Sequence, residues 1–333
     1  FSSPTHLVIS SYLFGDAVTR CDSSTIPLQK APLKEFPAPL VPSWLRRNIL
    51  APVGISLPKP RLLTKGDPAL KLPAKCIRQR QRDELKMRQI LEKAPSMRND
   101  PEQMKSLSKE LFEVTYGKGV TAQEREDFLV RYGCTGWNDQ VLKTILEVSG
   151  SRGIVEMGAG HGQWARALLE AYAKQKEESS LSSPTGKSRR NFDFVLAYDD
   201  NSNLPLNTHI YNPYTKPHHE YFGNVRKLET KNDMLKVLRS WACRGRILLL
   251  VYPPPGDMAT QVVKTYIEAG PEDNDTVIFV GEGRGGANGN DSLFDMFEKG
   301  DWELLEEMNV QRPPGDKGYE KLYILRRRPQ QYR

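Results

Sequence analysis

Ile154-Val155-Glu156-Met157-Gly158-Ala159-Gly160-His161-Gly162-Gln163-Trp164 reads as a short buried strand, a glycine turn and the start of a helix expected to run to about Lys174. Glycines so placed let the backbone turn sharply and come close to a ligand, while the first turn of the helix carries N–H groups without helical partners. Such an element cradles a nucleotide. A dinucleotide fingerprint, G-x-G-x-x-G, would need its third glycine where Gln163 stands, because Gly158, Gly160 and Gly162 simply alternate. That spacing disfavours a dehydrogenase. Glu156 ends the strand just ahead of Gly158, where its charge repels a pyrophosphate and suits a ligand carrying positive charge and an amino group.

These residues resemble the E/D-x-G-x-G-x-G first motif of class I S-adenosylmethionine-dependent methyltransferases, a Rossmann-like superfamily. The resemblance implies S-adenosyl-L-methionine as cofactor, held around Glu156, Gly158, Gly160, His161 and Gly162. The next expected strand, Phe192 to Tyr198, ends in Asp199-Asp200, where this family places a carboxylate on the ribose hydroxyls. Tyr221-Phe222-Gly223-Asn224-Val225 is similar to the family's segment after its third strand, which implies that Asn224 meets the adenine amino group. Tyr132, Trp137 and Asn138 precede the glycine-turn strand in a region that often forms a lid in this family, and Trp137 is a pocket candidate.

The fourth expected strand ends in Val251-Tyr252-Pro253-Pro254-Pro255-Gly256-Asp257, a proline-fixed turn at the carboxyl edge of the sheet. It resembles the N/D-P-P-Y/F motif of amino methyltransferases, which implies a catalytic place for Tyr252, Pro253 and Pro254. Tyr252 stands where that motif has Asn or Asp, and Pro255 where it has an aromatic ring, so the amine-orienting group is missing. Methyl transfer depends chiefly on near-attack geometry, and a general base is often dispensable. Where one is needed, Glu282 in Gly281-Glu282-Gly283-Arg284-Gly285-Gly286, or Asp257, is best placed, and Arg284 could grip an anionic substrate. Trp137 to Arg328 also resembles a little-described group of methyltransferase-like proteins, through Gly160–Trp164, Ala197–Asp199, Pro253-Pro254, Gly281–Gly286 and Trp302–Glu306 in that order.

Outward from these motifs, strands alternate with helices: Gly153–Met157, Phe192–Tyr198, a weak strand near Thr208–Tyr211, Arg246–Tyr252, Thr276–Gly281, Trp302–Met308 and Lys321–Arg326. The pattern predicts an α/β, doubly wound, mainly parallel seven-stranded sheet of methyltransferase-like type. Pro313-Pro314-Gly315 separates the last two strands by a turn, so the last strand is expected to be antiparallel. Ahead of this domain (residues 122–328) lie an extended basic Pro-rich arm (1–77) and a linker of short helices (78–121), with a tail at 329–333. Prolines recurring through the arm remove backbone donors and disfavour helix and sheet interior. Lys174–Asn191 reads as a polar inserted loop.

No apolar run approaches the roughly 18 residues of a membrane span, so none is expected. Cys21, Cys76, Cys134 and Cys243 lie far apart without metal-ligand spacing, and His218-His219 lacks a third ligand, so no metal site is expected. The net charge is +7, yet residues 1–105 hold 18 Lys/Arg against 9 Asp/Glu. A basic arm on a near-neutral domain favours RNA or a ribonucleoprotein as partner, reached together with protein subunits. Phe1-Ser2-Ser3-Pro4-Thr5 resembles the start left after removal of a mitochondrial presequence, which points to the mitochondrial matrix, with the cytoplasm as alternative. The expectation is a methyltransferase acting on or within an RNA–protein assembly. The alternative is a non-catalytic methyltransferase-fold structural or assembly subunit of a ribonucleoprotein such as a mitochondrial ribosome.

Overall fold

The computed structural model describes residues 60–97, 99–181, 193–200, 225–315 and 317–328. They form an α/β molecule around one mixed sheet. Its strands are β1 (Arg61–Leu62), β2 (Ile154–Met157), β3 (Val195–Asp199), β4 (Val225–Lys227), β5 (Ile247–Val251), β6 (Thr276–Gly281), β7 (Trp302–Asn309) and β8 (Lys321–Arg327). They lie side by side as β1-β7-β8-β6-β5-β2-β3-β4. The run β4-β3-β2-β5-β6 is parallel, while β8 is antiparallel to both β6 and β7.

The helices are α1 (Ala74–Met97), α2 (Pro101–Tyr116), α3 (Ala122–Tyr132), α4 (Asp139–Ser149), α5 (Gln163–Leu181), α6 (Lys231–Leu238), α7 (Met258–Ala269) and α8 (Asp291–Phe297). Local chemistry sets their starts: Asp100 caps α2 ahead of Pro101, Thr121 and Glu124 form a capping box on α3, and Asn138 caps α4.

Parallel strands with helices on both faces must be apolar on both sides, and these are. Val155, Met157, Leu248, Leu250, Val277 and Phe279 join Leu238, Val262, Tyr266 and Phe294 in one core. Ile154, Leu249, Ile278, Val280 and Ile324 face the other way, into a core with Val141, Ile145, Trp164 and Leu168. Each such buried side chain stabilises the fold by about 1.5–3 kcal/mol relative to exposure.

Four features differ from the sequence reading. Among the described residues the sheet has eight strands, because Arg61–Leu62 adds to the edge of β7. This piece of the Pro-rich stretch belongs to the domain: Leu63 and Leu70 are fully buried in the main core, and the Leu63 N–H donates to the Trp302 carbonyl at 2.9 Å. Its prolines do no harm there, since Pro68 starts a single 3₁₀ turn, a position that needs no donor. The strand beside β3 is Val225–Lys227, and Thr208–Tyr211 lies outside the described residues. Helix α5 runs on past Lys174 to Leu181, because Gln, Lys and Glu are good helix formers. The Pro313-Pro314-Gly315 turn does join antiparallel strands, and Gly315 (φ +99°) lies so near α2 that a Cβ there would stand 1.9 Å from the Tyr116 carbonyl oxygen.

Candidate functional site

From β2 the chain winds one way across the sheet to β3 and β4, and from β5 the other way to β6. The crevice between the carboxyl ends of β2 and β5 is therefore the topological switch point, where open parallel sheets bind ligands. The glycine turn and the Tyr252-Pro253-Pro254 turn leave the two strands on either side of it.

Gly158, Gly160 and Gly162 all have positive φ (+78°, +56° and +86°), a backbone shape closed to most side chains. The turn they form is tied to the end of β3. The Gly158 and Ala159 N–H groups donate to the Tyr198 carbonyl at 2.9 and 3.0 Å, and the Gly160 N–H donates to Asp199 Oδ2 at 2.7 Å. Asp199 is thus nearly buried and holds the turn's shape, while Asp200 beside it is exposed.

Glu156 is 1% exposed, and its Oε2 has no hydrogen-bond partner. Burial, reinforced by the Asp199 charge, pushes its carboxyl up to about 8, against the opposing pull of the Ala165 N–H in the first turn of α5. Two carboxylates share a buried corner. A bound positive charge would relieve both.

His161 is buried within the turn. Trp137 packs edge-on against Tyr132 (4.9 Å between ring centres) and Trp164 (5.3 Å), and the Trp164 indole N–H donates to the Thr135 carbonyl at 2.8 Å. Trp137 is therefore half-buried in an aromatic stack beside the start of α5. Asn224 lies outside the described residues, as do His218 and His219. Past β4, Leu228 reaches the carboxyl edge, and its N–H donates to the Asp199 carbonyl at 2.7 Å.

On the other side of the crevice, Tyr252 holds φ +47°, a value costing about 1–3 kcal/mol for an aromatic residue. The strain is held by partners: the Tyr252 N–H donates to the Val280 carbonyl at 2.7 Å, and Asn288 Nδ2 donates to the Pro253 carbonyl at 3.0 Å. Asn288 also accepts from the Glu282 N–H, so one buried amide fastens both loops. Asp257 accepts from Asn290 Nδ2 at 2.5 Å.

Glu282 is buried, and both its oxygens lie 2.5 Å from Arg80 Nη2 of α1 while Oε2 also accepts from the Ala287 N–H. Arg284 reaches Asp291 (3.0 Å), Asp295 (2.7 Å) and Glu298 (3.2 Å), so its charge is matched within the chain. The sequence reading missed Arg80 and Asn288. Arg80 sits among many charges on a helix surface pattern, and Asn288 reads as an ordinary turn residue in a glycine-rich loop.

Among the described residues no group of three His, Cys, Asp or Glu side chains gathers as a metal site. Cys76 and Cys243 are free thiols. Among the described residues no helix is long and apolar enough to cross a membrane.

No family model matches this chain, and no curated protein matches it. Among solved structures, the mitomycin 7-O-methyltransferase MmcR aligns with 78% of this chain and 74% of its own, at 12% identity and a TM-score of 0.30. The reading of the site rests on this chain's own topology and residues.

Proposed function

We propose that this protein is an S-adenosylmethionine-dependent methyltransferase that binds its cofactor at the switch point between β2 and β5. The observation that carries the reading is Glu156: a fully buried carboxylate with an unpartnered oxygen, beside Asp199, at a turn of three positive-φ glycines. These residues fit a ligand that brings its own positive charge and ribose hydroxyls. Glu156 would face the amino group and sulfonium side, Asp199 and Asp200 the ribose, and the glycine backbone would allow close approach. When bound, S-adenosylmethionine supplies an already activated methyl group. The chain's task is then to orient the acceptor and exclude water, which suits the rigid Tyr252-Pro253-Pro254 turn. Glu282 holds α1 against the site through Arg80, a positioning role rather than that of a free base.

The charge excess in residues 1–105 supports action on or within an RNA–protein assembly. One observation favours a second reading, a non-catalytic subunit of such a particle: the best-placed carboxylate on the acceptor side is consumed by Arg80. Calorimetric titration of the full chain with S-adenosylmethionine separates the two. The enzyme reading expects binding on the order of micromolar, weakened at least about tenfold in Asp199→Ala and Glu156→Gln. No binding to folded wild-type protein would overturn it and leave the scaffold.

A further inference from the structure

The positive charge of this chain is concentrated in one described segment. Residues 60–97 hold 10 Lys/Arg against 4 Asp/Glu, whereas residues 1–59 hold 6 against 3, and the whole chain carries +7. Most of residues 60–97 is helix α1, and the exposed cations Lys75, Arg78, Arg82, Lys86 and Lys93 are not scattered around it. Their spacings of three, four, four and seven residues place them on one narrow stripe. At about 1.5 Å per residue the stripe is about 27 Å long. The acids of α1 lie outside it: Asp83 accepts from Lys317 at 2.6 Å, and Glu84 and Glu92 sit part of a turn away.

The opposite face of α1 is committed to the protein. Met87 and Ile90 are buried with Leu107, Leu111 and Val114 of α2, and Arg80 binds Glu282. These contacts fix which side of the helix turns outward. On the stripe, Lys86 lies 3.7 Å from Glu110 across an exposed gap, a pair worth at most about 1 kcal/mol. Arg82 donates to the neutral amide of Gln79 at 2.6 Å, so neither cation is neutralised by a strong partner.

A row of outward cations suits a linear polyanion, whose phosphates release counterions when they are neutralised. The stripe carries no aromatic ring on which a base could stack, so it meets backbone rather than sequence. A helix lying on a membrane turns a wide apolar face outward. Here Leu85 is the one large apolar side chain exposed on α1 among the described residues. We propose that the stripe from Lys75 to Lys93 is a docking surface for the sugar–phosphate backbone of RNA, bound without regard to base sequence. This deepens the RNA-assembly reading and rests on it for RNA rather than DNA, while the polyanion surface itself stands on α1 alone.

Fluorescence anisotropy of the full chain tests this with a labelled RNA duplex of about 16 base pairs, a second duplex of scrambled sequence, an oligouridine of about 20 nucleotides and a DNA duplex. The wild type is compared with the triple variant Arg78→Gln, Arg82→Gln, Lys93→Gln. An equal charge change elsewhere is Lys143→Gln, Lys236→Gln, Lys264→Gln, all at exposed positions. A third variant, Arg46→Gln, Arg47→Gln, Lys59→Gln, removes cations from the Pro-rich stretch. Circular dichroism checks that each is folded, and Arg78→Lys with Arg82→Lys keeps the charge. The stripe variant should bind both RNA duplexes about tenfold or more weakly, with a salt slope shallower by about 2–3, while the lysine variant stays near wild type. Unchanged RNA binding in the stripe variant, an equal loss in the control triple, or a loss confined to the Pro-rich variant would overturn the proposal. So would binding to phosphatidylserine vesicles with neither RNA bound, and tighter binding of the DNA duplex would overturn RNA as the occupant. S-adenosylmethionine affinity, measured by calorimetry, should stay within about twofold of wild type in the stripe variant. RNA binding without cofactor binding would leave the surface standing and remove the methyltransferase reading.

Discussion

Glu156 shows how one residue carries both a structural cost and a function. Its carboxyl is raised from 4.5 to about 8, so the folded state holds a proton that the unfolded chain releases. Its contribution to stability is complete below the ordinary carboxylate range, declines as pH rises toward about 8, and then levels off. Melting curves of the ligand-free protein from pH 5 to 9, compared between wild type and Glu156→Gln, should show this decline weakened in the variant. Cationic ligands act in the opposite sense. Because they favour ionised Glu156, their affinity should rise through the same interval and lose that slope in Glu156→Gln. Glycine spacing and the position of Glu156 were both legible in the sequence, since they sit within one short turn. The unpartnered state of Glu156 Oε2 was not, because it depends on what α5 and β3 place around it.

At the level of elements, α1 is attached to the site by a part-buried ion pair whose carboxylate, Glu282, is buried. Arg80 and Glu282 lie 202 positions apart, and Lys317 adds a second link to the same helix through Asp83 at 2.6 Å. Removing one partner of a buried pair leaves an uncompensated charge, so Arg80→Ala should lower the free energy of unfolding by about 3 kcal/mol, measured in urea. Replacing Asp83 by Ala, at a more exposed pair, should cost less than about 1 kcal/mol. Most strand positions followed from sequence, because hydrophobic runs marked the parallel strands. The strand Val225–Lys227 escaped because three residues leave too short a pattern to separate from a loop.

The whole molecule depends on residues that read as a tail. Leu63 and Leu70 close the core beneath Trp302 and Phe294, and β1 covers the outer edge of β7. A chain trimmed to begin at Lys75 should therefore be less stable than one trimmed to begin at Pro60 by at least about 3–5 kcal/mol, the cost of emptying two buried leucine sites, as read from thermal and urea unfolding. Equal stability of the two would mean that this segment contributes nothing. By itself the sequence determined the alternating α/β order, the glycine turn, the carboxylates at the ends of β2 and β3 and the proline-fixed turn after β5, because each is written in adjacent residues with a short period. Only the tertiary structure decided that Arg80 holds Glu282, that Asn288 fastens two loops and that residues 61–72 belong to the core. Such partners lie far apart along the chain, and no local pattern records which distant side chain the folding of the sheet will bring within reach.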